Sequence, residues 1–499
     1  MALAPPVQAQ PSLPTLGDGL ELTAAAERKL GDRIIRELYR DPDYLDDAPL
    51  QEYVQSLLQP LLAAARQRGE VAPDVDERFA WAVLLGRDRS VNAFALPGGY
   101  FGVHLGLIGV VATPDELASV LAHELSHVTQ RHISRLIAQQ GRQTPLMIGA
   151  LILSALAASK NPGAAQALMV GGQALAIQNQ LNFSRDMERE ADRIGYGLMQ
   201  PAGFAPQGFV AMFDKLQQAN RLNDNGSWPY LRSHPLTTQR IADMQSRSTH
   251  DAPGAALAPA RLEHALLAAR ARVLMRPGVD IWRQWLAAPQ DAGFARLARP
   301  ELAAAWYSAA LSGVQLADWP AARRALAGLR ASVQGDAAGL RQARLLQAQL
   351  ELAAGQPAQA LAALRAQPPG AGERRPELLL QAQALLQTLA AAGAGSSPGE
   401  LAALAERLHT WVTLQPQDAG AWQWLAQVWR AQGQGLRALR AEAEAQVAQY
   451  DYAAAVDRFR AGQELARNSG AAADFIEASI IDTRLRAVQS LLREQAAER

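Results

Sequence analysis

Ala122-His123-Glu124-Leu125-Ser126-His127-Val128-Thr129-Gln130-Arg131-His132 places two histidines four residues apart in a largely apolar run. At ~100° per residue, His123 and His127 fall on one face of a helix, one turn apart, where two imidazoles can grip a single metal ion. Glu124 sits beside the first of them, completing the HExxH spacing. Its carboxylate can take a proton from an attacking water and pass it to a leaving amine, the chemistry of metal-assisted peptide hydrolysis. Pro114, Asp115 and Glu116 open the run with a helix-start signal. A five-residue pattern also occurs by accident on amphipathic helices, so its meaning depends on a third ligand.

A hydrolytic zinc site wants three protein ligands and one open position. Gln130 and Ile133 stand where a metzincin would carry its glycine and third histidine, which excludes that solution. His132, five residues past His127, points to another side of a continuous helix. The third ligand must come from elsewhere, and Glu188-Arg189-Glu190-Ala191-Asp192 offers it. Glu188 and Asp192 form a same-face pair, so Glu188 can complete a His/His/Glu site while Asp192 accepts a hydrogen bond from a ligand imidazole. The competing ligand is Glu190, which faces away from Asp192 and reads as solvated. A solvated face shared with Arg185, Arg189 and Arg193 is the plainer alternative for the whole segment.

Three ordered blocks carry a family resemblance: residues 122–132, then Ser184-Arg185-Asp186-Met187-Glu188-Arg189-Glu190-Ala191-Asp192, then Ser233-His234-Pro235. Over roughly residues 20–250 the chain resembles the gluzincin family that contains the CAAX prenyl protease, and within it a bacterial periplasmic branch acting in outer-membrane β-barrel assembly. The resemblance implies one Zn2+ per chain held by His123, His127 and Glu188, with Glu124 as general base and Asp192 behind the ligands. No departure occurs at these five positions; the alternative is a chaperone-like binding scaffold whose zinc site is structural or silenced by His234, and an intact Glu124 favours the enzyme. In the periplasmic branch the histidine matching His234 is similar to a plug in the fourth zinc position; elsewhere in the family it stabilises the transition state. Pro235 leaves that imidazole on a loop or helix start, where a capping or surface role is the simpler reading. Arg240 reads equally as a partner for an acidic group of the site and as a surface arginine. The resemblance also implies unfolded or misassembled outer-membrane proteins as substrates, the β-barrel assembly machinery as partner and a periplasmic location.

Around these blocks, 499 residues leave room for two or more domains. Lys plus Arg and Asp plus Glu both total 48, so nothing in the charge balance points to nucleic acid. No cysteine is present, which rules out disulfides and thiolate zinc sites without deciding the compartment. Residues 1–19 read as a disordered arm or leader remnant. Val7-Gln8-Ala9 resembles the tail of a cleavage site, but no basic or apolar leader segment precedes it. Helical patterns run through Lys29–Tyr39 and Leu50–Arg66, followed by short strands at Phe79–Leu85, Val91–Leu96 and Tyr100–His104. Pro97 suits a strand end or edge, and an edge beside the metal could pair with an extended substrate.

Between the two acidic and histidine motifs, residues 144–176 form two apolar halves around Lys160-Asn161-Pro162-Gly163. Each half falls short of the ~20 residues that span a bilayer, so a buried or site-covering helical hairpin is expected, with membrane-surface contact and then a transmembrane hairpin as the alternatives. Residues 251–259 read as a linker. Beyond it, residues 260–499 carry Ala, Leu, Gln and Arg in helical patterns broken by short Gly or Pro turns. Pro320 and Pro357 open equivalent turns, and Trp422, Leu425, Ala426 and Trp429 fit a degenerate tetratricopeptide frame; Ala438, Ala445, Ala455 and Phe459 extend it, while Glu442 does not. The expected fold is mainly α: an α+β zinc peptidase domain over 20–250 with a small sheet, then a tetratricopeptide-like α-solenoid whose concave face binds a protein.

Overall fold

The computed structural model describes residues 22–139, 184–221, 227–248, 262–366, 372–392, 398–468 and 474–497. The N-terminal arm, the apolar insert at 144–176 and the linker at 251–259 lie outside them. The N-terminal half runs α1 (Ala24–Tyr39), β1 (Tyr44–Leu45), α2 (Ala48–Gln67), α3 (Pro73–Arg78), β2 (Ala82–Gly86), β3 (Ala93–Leu96), β4 (Tyr100–His104), α4 (Leu105–Val110), α5 (Pro114–Thr129), α6 (His132–Gln139), α7 (Arg185–Met199), α8 (Gln207–Arg221), α9 (Tyr230–Ser233) and α10 (Thr238–Ser248). The fold is mainly α with one small sheet. Among the described residues, no helix is long and apolar enough to cross a membrane.

The strands are ordered β1-β2-β4-β3, with β2 and β4 parallel and both outer pairs antiparallel. β3 is therefore an edge, and it is the strand that packs against α5. Pro97 ends it, and Gly98 and Gly99, at φ +78° and +80°, carry the chain back into β4. Only glycine takes that conformation without strain, which explains the pair in sequence.

α5 begins where Thr113 Oγ1 accepts from the Glu116 amide at 3.2 Å, with Pro114 in the first turn. Every residue from Pro114 to Thr129 is buried, so the helix forms the centre of its half rather than a surface face. It is enclosed by α2, α7, α8 and β3. α7 can lie close because Gly195 has no side chain: a Cβ there would meet the Ala122 carbonyl and the Phe209 ring at 3.0 Å. That approach sets the acidic face of α7 against the histidine face of α5.

The second half comprises α11 (Leu262–Leu274), α12 (Val279–Ala287), α13 (Arg299–Gln315), α14 (Trp319–Ser332), α15 (Ala337–Ala353), α16 (Pro357–Arg365), α17 (Arg375–Ala392), α18 (Pro398–Leu414), α19 (Ala419–Ala431), α20 (Gly435–Ala448), α21 (Tyr452–Asn468) and α22 (Phe475–Ala497). Pro320 and Pro357 sit in the first turns of α14 and α16, where a missing N–H costs nothing. Consecutive helices pack pairwise, α13 on α14, α19 on α20 and α21 on α22 among them.

This half does not stand apart from the first. Leu267 and Ala271 of α11 belong to the same apolar cluster as Leu117, Leu121 and Leu125 of α5, while Leu266 and Val273 join the next cluster. Three arginines from successive parts of the helical array converge on the start of α2. Arg270 grips Asp47 at 2.6 and 2.8 Å, Arg341 reaches Glu52 at 2.6 Å, and Arg375 reaches Asp46 at 2.7 Å. Farther along, Tyr450 bonds Tyr100 at 2.6 Å beside Arg28 and Asp32. The helical array thus curls along α2, β4 and α1.

Candidate metal centre

His123 and His127 lie one turn apart on α5 with their Nε2 atoms 3.0 Å from each other. From α7, the Glu188 carboxylate reaches within 3.4 Å of both. From the loop after α9, His234 Nδ1 comes to 3.2 Å from His123 Nε2 and 3.0 Å from Glu188 Oε1. One donor atom from each of the four residues lies within 4.8 Å of the others, and all four are buried. The cluster could hold a metal ion. Corners of a tetrahedron around a metal at ~2.0–2.1 Å stand roughly 3.3 Å apart, close to the separations seen. A His/His/Glu/His donor set in a chain without cysteine is chemistry that suits zinc.

The groups behind the cluster fix its orientation. His123 Nδ1 meets Asp192 Oδ1 at 3.0 Å. Asp192 is itself gripped by Arg240 through two bonds of 2.6 and 2.8 Å. Arg240 is 4% exposed, so the surface alternative for it does not hold. Its Nη1 donates to the Pro235 carbonyl at 3.0 Å and lies 2.8 Å from Glu188 Oε2, tying the His234 loop to α7. That loop is also anchored to the segment just before β3: Val91 N–H donates to the Ser227 carbonyl at 2.8 Å, and Tyr230 N–H to the Val91 carbonyl. The His234 ring stacks on Tyr230, 4.5 Å between centroids.

Glu124 lies between β3 and His234. Its Oε2 accepts from the Ala95 amide of β3 at 2.9 Å, while Oε1 is buried without a hydrogen-bond partner, 3.4 Å from His234 Nε2. Burial pushes the Glu124 carboxyl above its usual range, against the pull of His234 and His123. Glu188 goes the other way. Burial would raise it, but His234 and His123 hold it well below the ordinary carboxylate range. Burial would lower His123, yet Asp192 and Glu188 outweigh it and push that imidazole up to about 9. His127 is driven down by burial and by the neighbouring His123. Two carboxyls on the same cluster thus differ in proton affinity, Glu124 raised and Glu188 lowered.

Two residues sit where the sequence reading did not put them. α5 stops at Thr129, and Arg131 adopts φ +53°. The break turns His132 back onto His127, with 2.8 Å between their Nδ1 atoms. A left-handed arginine costs ~1–2 kcal/mol. It is held there by Glu27 Oε2 at 3.0 Å and by the Leu22 carbonyl. Glu190 is correspondingly not a free solvated group: it bonds His132 Nε2 at 3.0 Å and Arg135 at 2.9 Å. The signal missed was the helix end, for which Gln130-Arg131 carries no glycine or proline.

Against known proteins, residues 50–248 match peptidase family M48. This segment is similar to an M48 peptidase domain. A relative from Vibrio cholerae is 38% identical over 275 residues, 54% of this chain and 53% of that protein. The beta-barrel assembly-enhancing protease of Escherichia coli K12 is 33% identical over 244 residues, 48% of each chain. The mitochondrial metalloendopeptidase OMA1 of Saccharomyces cerevisiae is 27% identical over 203 residues, 39% of this chain and 55% of that one. The chain spans about half the length of the curated relatives it matches. The M48 segment includes both helices of the cluster and the His234 loop.

Proposed function

We propose that this chain is a zinc-dependent endopeptidase of periplasmic protein quality control and outer-membrane β-barrel assembly, held quiet at rest by His234. His123, His127 and Glu188 would hold one Zn2+, with His234 Nδ1 in the fourth position. The observation that carries the reading is the four-donor cluster beside Glu124, whose Oε1 is buried and unpartnered next to it. Bound there, zinc would supply Lewis acidity and lower the pKa of water at the site. Glu124, with its proton affinity raised by burial, accepts a proton at Oε1 and returns it to the leaving nitrogen. Asp192 and Arg240 keep His123 oriented through its Nδ1. The Ala95 amide holds Glu124 in place.

Substrate would lie along the free side of β3 as an added strand, which reads backbone rather than side chains and suits unfolded or misassembled outer-membrane proteins. Such a strand meets the Ser227–Tyr230 segment at Val91, so binding competes with the anchorage of His234. With His234 in place the site has four protein donors and no open position, and a client that prefers the displaced form shifts the population toward activity. The name of the Escherichia coli relative supports the link to barrel assembly. In this reading residues 20–250 form the catalytic domain and residues 260–499 the tetratricopeptide-like domain that recruits the β-barrel assembly machinery. The face carrying Arg270, Arg341 and Arg375 is taken by α2, so the recruiting surface is another face of the array. Membrane-surface contact through residues 144–176 belongs to the same proposal.

Elemental analysis of the purified full chain tests the reading. One zinc per chain is expected in the wild type, and well below that in Glu188→Gln. Full occupancy in that variant would move the third ligand away from Glu188.

A further inference from the structure

The two histidines of α5 are backed by different chemistry. Behind His123 stands a carboxylate, Asp192, braced by Arg240. Behind His127 stands another imidazole, His132, buried completely, which leads outward to Glu190 and Arg135. An ionised carboxylate only accepts, so His132 Nε2 must donate to Glu190. A neutral His132 then has a bare Nδ1, which accepts. His127 Nδ1 must therefore carry its proton, and His127 Nε2 is left with the lone pair. Nε2 is the atom that faces His123 and Glu188.

We propose that His132 is a positioning residue, passing the acceptor character of Glu190 inward so that His127 is locked in the tautomer that binds metal through Nε2. The left-handed turn at Arg131 is what brings His132 within reach, and Arg135, one turn along α6, fixes the far end of the relay. The inference rests on the proposed role of His123, His127 and Glu188 as metal ligands.

Zinc affinity of the full-length protein, measured by competition with a chromophoric chelator, tests it. His132→Phe keeps a ring but offers no acceptor and should weaken zinc binding about 10–100-fold, the usual effect of losing a partner behind a ligand. His132→Asn places an oxygen near the lost Nδ1 and should recover a measurable part of that affinity. Glu190→Ala, at a partly exposed position, should also weaken binding, by roughly the lower end of that range. Metal-free thermal stability separates positioning from packing, because the Phe and Asn variants should differ in zinc affinity without the same order in stability. Zinc binding by His132→Phe at the wild-type level would overturn the proposal, and so would Phe and Asn variants equally weakened in step with lost stability. If the Phe variant does not fold, unchanged affinity in Glu190→Ala overturns it. A wild-type protein that binds no zinc sinks the metal reading itself, whereas a zinc-loaded wild type with unaffected variants sinks only this inference.

Discussion

His234 has two contacts with opposite meanings. Its Nδ1 joins the four-donor cluster, and its Nε2 lies 3.4 Å from the Glu124 carboxylate. A plug and a transition-state stabiliser would both need an imidazole here. The loop is anchored at Val91 and Arg240 with Nδ1 toward His123 and Glu188, the arrangement the proposed plug requires. His234→Ala is therefore expected to raise casein hydrolysis, with self-cleavage, while zinc content stays at one per chain. Turnover abolished with zinc still bound would make His234 a stabiliser instead. The pairs His123/His127 and Glu188/Asp192 were legible because each is spaced four residues apart on one helix, whereas His234 was singled out through Pro235 and the resemblance. His132 was not, because its position depends on a helix end that no glycine or proline marks.

Between elements, the joint that can be read through pH is α11 against the first half. His264 Nε2 donates to the Val111 carbonyl at 3.0 Å, and its Nδ1 receives the Tyr53 hydroxyl at 2.6 Å. This uses both nitrogens of a neutral ring. Burial lowers its pKa below the ordinary value near 6.5, against the help of the Val111 carbonyl. The unfolded chain then binds the extra proton first, so the stability His264 contributes is present above pH ~6.5 and is lost as the pH falls below it. Denaturant titrations at pH 7.5 and 5.5 should show the wild-type advantage over His264→Asn shrinking at the lower pH. An advantage that grows on acidification would mean the ring is charged in the fold. The strands β2 to β4 and the helices α1 and α2 follow from patterning in the sequence, whereas β1 spans only two residues and has no pattern to read.

For the molecule as a whole, the sequence divides at Pro- and Gly-rich residues 251–259, but the packing does not divide there. Leu267 and Ala271 complete the apolar cluster of the first half, and the three arginine pairs bind groups 223 to 329 residues apart in the chain. Pairing at such distances leaves no trace in local pattern, which is why the sequence suggests two separate bodies. Arg270 makes the strongest case. It is 4% exposed, and Asp47, its partner, is 8% exposed and also caps α2 through the Leu50 amide. Removing one member of a buried pair strands the other's charge, so Arg270→Ala should cost about 3–5 kcal/mol in chemical denaturation. A loss below about 1 kcal/mol, the scale of an exposed pair, would show that the array is not fastened to α2 at this point.

Glu124 is the proposed proton carrier beside a metal held by His123, His127 and Glu188. Its most direct test is casein hydrolysis by zinc-loaded Glu124→Gln, made in the His234→Ala background so that the reference is active. The expected result is full zinc content, an unchanged fold and a rate lower by at least ~100-fold, the usual contribution of a general base. Hydrolysis near the reference rate, with zinc bound, would contradict the account.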